Sequence, residues 1–220
     1  MTIPDSVTAI GANPFSSCYN LKTLAVSPDH PVLTVKDGML YSNPDRRLVC
    51  CPCALAETAL TVPQDVQRIG DSAFAGCFRL TDVTLPGSVT AIGAYAFYGC
   101  ADLTGVAIQD GVTSIGRCAF SGCYSLTGVT LPGSVTGIGA YAFSWCTSLT
   151  GMTIPDGVTA IGEGAFSDCS RLTGVTIPDS VTGIGDSAFD GCGNLTLTVP
   201  RDSYAARYCQ ENELSFTVRD

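Results

Sequence analysis

One pattern of residues returns along this chain at a fixed interval, and that interval restricts the fold more than any other feature. Cys77, Cys100, Cys123, Cys146, Cys169 and Cys192 follow one another at steps of 23 residues, and Cys18 marks a further copy near the start. Phe74, Phe97, Phe120, Phe143, Phe166 and Phe189 keep step three residues earlier, with Phe15 in the first copy. Ile-Gly pairs recur with them, from Ile10-Gly11 through Ile69-Gly70 and Ile92-Gly93 to Ile184-Gly185. A unit this short cannot bury its apolar side alone; stacking each copy on the next covers it. The period therefore predicts one continuous solenoid over residues 1–220.

Residues 80–100 show what one unit contains. Leu80, Val83 and Leu85 are spaced as a short strand with one buried face. Pro86 ends it, because proline cannot donate to a ladder, and Gly87-Ser88 turns the chain. Val89 to Ile92 is a second short apolar segment, closed by Gly93. Ala96, Phe97 and Cys100 then stand at the spacing of a helical or 3-10 turn facing the core.

The motif L-T-x-V-T-[IL]-P-x-[SG]-V-T-x-I-G-x-x-A-F-x-x-C, in seven registered copies, resembles the leucine-rich repeats of the BspA type. The resemblance implies an α/β repeat solenoid: a right-handed leucine-rich-repeat superhelix. It would carry a parallel β-sheet on one face, with short strands and helical or 3-10 turns on the other. It also implies a surface or secreted protein, since members of the family are mostly such proteins and several are adhesins.

Charged residues make up only 14% of the chain and its net charge is -9, so the basic face that nucleic-acid binding requires is missing. No apolar run approaches the ~18 residues that cross a bilayer, and no signal peptide opens the chain. Met1-Thr2-Ile3-Pro4 aligns with Met152-Thr153-Ile154-Pro155, the middle of a strand. The expectation is a piece of a longer protein, with any signal peptide or anchor outside it.

The first copy spans about 2–26 and departs from the pattern at Asn13-Pro14. Pro4 and Pro63 are equivalent yet 59 residues apart, 36 beyond one period. The segment of about 27–61 therefore reads as a hairpin-like insertion. Its strands are expected around Val32–Val35, Met39–Tyr41 and Leu48–Cys50, separated by turn signals at Lys36-Asp37-Gly38 and Ser42-Asn43-Pro44-Asp45. It is either a spacer that keeps the spine continuous or a contact-making loop. Regular copies resume over about 62–199. A helix and strand over about 200–220 are the expected cap, with Ser203 as helix N-cap and Tyr204, Ala205, Tyr208 and Cys209 on one face.

Twelve cysteines raise the question of metal or redox chemistry. The ladder cysteines each follow an inward phenylalanine by three residues, so free structural thiols are expected there. Cys50, Cys51 and Cys53, with His30, form the one irregular cluster; oxidation or zinc binding stays open for it, although C-C-P-C is not a usual ligand spacing. Asp5, Asp110, Asp156 and Asp179 recur in the Pro-Asp turn or its equivalent, where the expected role is hydrogen bonding to the turn backbone; a Ca²⁺-binding row is the alternative. His30 is the sole histidine, and no nucleophile–base–orienter set accompanies it. No enzyme, cofactor or metal site is expected.

The sheet face, with Asp82, Thr84, Gly105, Ala107, Thr130 and Thr153 between the buried positions, reads as flat, small and nearly neutral. Binding energy concentrates instead in aromatic residues. Tyr95, Tyr98, Tyr124, Tyr141 and Trp145 are the candidate partner-binding residues; the alternative is that they only cover the turn layer. The chain is read as a non-enzymatic, adhesion-type protein-interaction module of a cell-surface or secreted bacterial-type protein, with a protein partner. A purely structural stalk is the second reading.

Overall fold

The computed structural model describes residues 1–219, and within it the chain winds as stacked coils of about one repeat each. In a regular coil Asp82–Leu85 forms the first strand and pairs in parallel with Gly105–Ile108 of the next coil, Val83 against Val106. Pro86 stops it, and Val89 donates to the Pro86 carbonyl at 3.0 Å to close the turn. Ala91–Ile92 is the second strand, pairing with Arg68–Ile69 below and Ser114–Ile115 above.

Two parallel sheets result, and they differ in continuity. The sheet of the two-residue strands has six of them, up to Gly183–Ile184, and continues without a break into three longer strands of the insertion, nine in all. The sheet of the first strands falls into a block of three and a block of four. Between them, residues 128–131 keep only a single bridge, Ala107 to Thr130. The flanking Thr127 and Thr150 amides reach their partner carbonyls at 3.5 and 3.4 Å there, against 2.9 Å for Thr136 on the unbroken side. Threonine side chains reinforce both sheets. Thr104 and Thr173 donate Oγ1 to the threonine carbonyl one coil back at 3.1 and 3.0 Å, as Thr113 and Thr136 do on the other face at 3.0 Å each.

The third layer corrects the sequence expectation of helical or 3-10 turns. Residues 93–100 form successive turns: Ala96 donates to Gly93, Tyr98 to Tyr95 and Cys100 to Phe97. Tyr95 and Gly99, at the third position of two of these turns, have φ of 57° and 68°, the left-handed value of a type II turn. A helix cannot propagate through such a residue. The amides between them point along the stack instead, so that Phe97 donates to Ala119 and Phe120 to Ala142, both at 2.7 Å. Among the described residues the one α-helix is Tyr204–Glu211, and strands and turns build the rest, so the α/β description does not hold.

Inside this layer the phenylalanines stack. Phe74, Phe97, Phe120, Phe143, Phe166 and Phe189 stand with ring centroids 4.8–5.5 Å apart and planes within 7°. The coil spacing of the sheets imposes that distance. Tyr208 of the C-terminal helix closes the stack edge-on at 6.5 Å. Ser203 caps this helix by accepting from Ala206, and Phe216–Arg219 adds a last strand beside Thr196–Pro200.

The insertion is built into the spine. Leu33–Lys36, Met39–Ser42 and Arg47–Cys50 form an antiparallel meander, and the third strand pairs in parallel with Arg68–Ile69. Leu33, Leu40, Val49 and Cys50 pack with Ile3 and Leu24 of the first copy as a small core of their own. From Cys50 onward the register of the repeat is already restored. Cys51 donates to Ala73 at 2.7 Å, as Phe74 does to Ala96, so Cys51 stands where the other coils have phenylalanine. The first copy correspondingly lies off the stack: Phe15 is only half-buried and Cys18 is exposed. Asn13 holds it, with its Nδ2 donating to the Ser72 carbonyl at 2.8 Å.

Candidate functional site

The left-handed turn positions decide which side chains leave the coil. In successive coils the first is Ser72, Tyr95, Cys118, Tyr141, Gly164 and Ser187, and the second is Gly76, Gly99, Gly122, Trp145, Asp168 and Gly191. Tyr95, Tyr141 and Trp145 thus hold φ of 57°, 57° and 60°, a conformation that costs an L-residue roughly 1–2 kcal/mol. Trp145 is 52% exposed although four of its five counterparts are glycine. Tyr98 and Tyr124 are exposed to a similar degree, and Tyr95 somewhat less.

These residues form two groups. Tyr95 and Tyr98 meet edge to face at 5.8 Å. Arg117 lies 5.1 Å over the Tyr141 ring, in cation–π geometry, and hydrogen bonding to Tyr95 raises its pKa, keeping it charged. The Tyr141 hydroxyl donates to the Glu163 carboxylate, which raises the tyrosine pKa. Tyr95, Arg117, Tyr141 and Glu163 therefore run as one row across four coils. Sequence reasoning missed Arg117 and Glu163; both directly precede a left-handed position, and that adjacency was the available signal. Tyr141 also covers the turn layer, because a Cβ on Gly164 would lie 2.3 Å from its ring. Tyr124 lies over Gly122, the counterpart of Trp145 one coil earlier, and forms the second group with Trp145 by position.

The opposite face is a shallow groove of about 1140 Å³, where a flat surface was expected. Thr84, Ala107, Thr130, Thr153 and Thr176 line it, and Asp82 is the one charged residue in its wall.

The ladder cysteines have a role beyond filling space. Cys100, Cys123, Cys146, Cys169 and Cys192 each donate S–H to the phenylalanine carbonyl of the coil below, at 3.1–3.2 Å. Burial raises the thiol pKa of Cys100 and Cys123 well above the ordinary value and that of Cys146 to about 12. His30 is also committed to structure. Its Nδ1 accepts from Val32 and Leu33 at 3.3 and 3.1 Å, and Nε2 stands 3.3 Å from the Pro4 carbonyl, which can only accept. The ring is thus the neutral tautomer protonated at Nε2. Among the described residues no group of three or more His, Cys, Asp or Glu side chains is placed to hold a metal ion.

Stacked coils of one repeat, a continuous inner sheet and a ladder of buried rings define the class: a leucine-rich-repeat solenoid. The family described as BspA type leucine rich repeat region matches in six copies, over residues 1–44, 51–141 and 90–209, and the chain belongs to it. No curated protein matches the chain. Among solved structures it is similar to a leucine-rich repeat protein from Bacteroides ovatus, 29% identical over 100% of this chain and 66% of that one, with a TM-score of 0.70. It is also similar to a leucine rich cell surface protein from Faecalibacterium prausnitzii, 30% identical over 98% of this chain and 50% of that one, with a TM-score of 0.68. A leucine-rich repeat protein from Eubacterium ventriosum is 25% identical over 86% and 57% of the two chains, with a TM-score of 0.69. The chain thus spans between half and two thirds of the length of these three proteins.

Proposed function

We propose that this chain is a non-enzymatic, adhesion-type protein-interaction module of a cell-surface or secreted bacterial protein. Its contact surface is the aromatic edge of Tyr95, Tyr98, Tyr124, Tyr141 and Trp145, extended by Arg117. Family membership and the likeness to a cell surface protein support the setting. The observation that carries the reading is Trp145: a large ring, half exposed, held at a left-handed position that glycine fills in other coils. The fold does not need it there, and Trp, Tyr and Arg are the residue types in which binding energy concentrates. A partner identified by surface display should lose more than ~2 kcal/mol of affinity on Trp145→Ser. Unchanged binding, with loss instead on changing Thr130 and Thr153, would move the contact to the groove.

The second reading is a structural stalk that displays another domain. The regularity of the Phe and Thr ladders favours it, since they provide stiffness without any site. A pull-down with the chain separates the two, because a stalk retains no partner.

A further inference from the structure

We propose that Cys53 and Cys77 are a disulfide-forming pair that locks the end of the insertion onto the first regular coil. In the other coils the ladder thiol donates to a phenylalanine carbonyl one coil below. Cys77 has no such phenylalanine beneath it, because Cys51 stands in that place, and it reaches the Cys51 carbonyl at 3.5 Å. The small Cys51 side chain leaves room that a phenyl ring fills elsewhere. The Cys53 sulfur lies 3.5 Å from the Cys77 sulfur and 3.4 Å from the Ala75 carbonyl. The two sulfurs are thus in van der Waals contact, and bond formation brings them to ~2.05 Å.

The two thiols differ in readiness to react. Hydrogen bonding to Cys51 and Cys53, with burial, pushes the Cys77 thiol far up, whereas the bond from Cys77 pulls Cys53 down. Cys53 sits in a turn segment, 51–58, that joins neither sheet, and it is slightly more exposed than Cys77, at 6% against 3%. The oxidant is a low-molecular-weight disulfide such as oxidised glutathione. The Cys53 thiolate attacks one of its sulfurs, forms a mixed disulfide and releases one small thiol. Cys77, losing its proton to solvent, then attacks the Cys53 sulfur and expels the second small thiol. Two protein thiols are oxidised to one disulfide and one small disulfide is reduced to two thiols. The bond closes a loop over residues 53–77, spanning the strands Ala59–Thr61 and Arg68–Ile69. This inference stands apart from the interaction reading and survives its failure.

The test is incubation of the 220-residue chain in an oxidised/reduced glutathione buffer, then alkylation, mass measurement and peptide mapping. With alkylation under denaturing conditions, the expected result is ten alkylated cysteines, the twelve of the reduced chain less the two of one disulfide, and one linked peptide pair containing Cys53 and Cys77. The thermal midpoint should rise by roughly 5–10 °C over the reduced form. Cys53→Ser should abolish both changes and Cys51→Ser should keep them. Twelve alkylated cysteines in the oxidised sample, or a bond mapped to Cys51 or between two ladder cysteines, would overturn the proposal.

Discussion

Residues 62–199 and residues 1–61 are built from the same motif and solve burial in different ways. In the regular coils each residue of a ladder meets its own counterpart one coil away: phenylalanine on phenylalanine, threonine hydroxyl on threonine carbonyl, cysteine on the phenylalanine carbonyl. One continuous core results, and it reaches back into the insertion through Met39, Tyr41, Leu48, Cys51 and Cys53. In the first region the register is lost as far as about Cys50, and such self-pairing with it. Phe15 has no ring to stack on, and individual polar side chains take over. Asn13 holds the turn, His30 ties the meander to Pro4, and Arg47 donates to the Ile10 and Gly11 carbonyls at 3.0 and 2.8 Å. A period distributes stability over many equivalent contacts; an interruption concentrates it in a few irreplaceable ones.

The comparison breaks most visibly at the phenylalanines. Phe120→Ala should destabilise the chain by ~3–5 kcal/mol in denaturant unfolding, through lost burial and the cavity left between Phe97 and Phe143. Phe15→Ala, at a half-buried site off the stack, should cost only about 1 kcal/mol. Equal losses would mean that the first copy shares the main core. His30→Ala comes next. It leaves the half-buried Val32 amide, the buried Leu33 amide and the Pro4 carbonyl without their partner, at about 1–3 kcal/mol. The loss should appear as faster amide exchange over 1–50 with residues 97–143 unaffected; spreading into the regular coils would show that the two regions are coupled.

The smallest effect has the opposite sign. Trp145→Gly removes a bulky residue from a left-handed position, so stability should stay unchanged or rise by up to about 1 kcal/mol. A fall of more than that, read from urea midpoints, would show that the indole packs against the coil. Tyr141→Gly should not behave in the same way, because Tyr141 also contacts Arg117 and Glu163.

Much of this architecture is legible in the sequence because each ladder position is repeated. The Phe and Cys spacing alone places the core, and Pro86 and Gly93 mark the strand ends. The turn layer was misread because Ala96, Phe97 and Cys100 have the spacing of a helical turn, while the alternating left-handed residues that forbid a helix include Tyr, Ser and Cys as well as Gly. Spacing carries no information about φ. The aromatic candidates were legible as deviations from the motif, but the Arg117–Tyr141–Glu163 row depends on contacts between coils. The re-entry of the repeat at Cys51 was hidden, because a cysteine in the phenylalanine place breaks the motif that would have announced it.

Amide hydrogen exchange across the whole chain tests most directly the claim that the coils of 62–199 act as one stacked body and that the first copy, 1–26, lies off it. The amides of Phe97, Phe120 and Phe143 bond to the next coil inside the buried layer, and should be the slowest of all. Phe120→Ala should accelerate exchange first in the adjoining coils, over 97–143, and leave the first copy, 1–26, at its own faster rate. Uniform protection from residue 1 to the C-terminal helix, or loss of protection only at the two ends of the stack in that variant, would contradict the account.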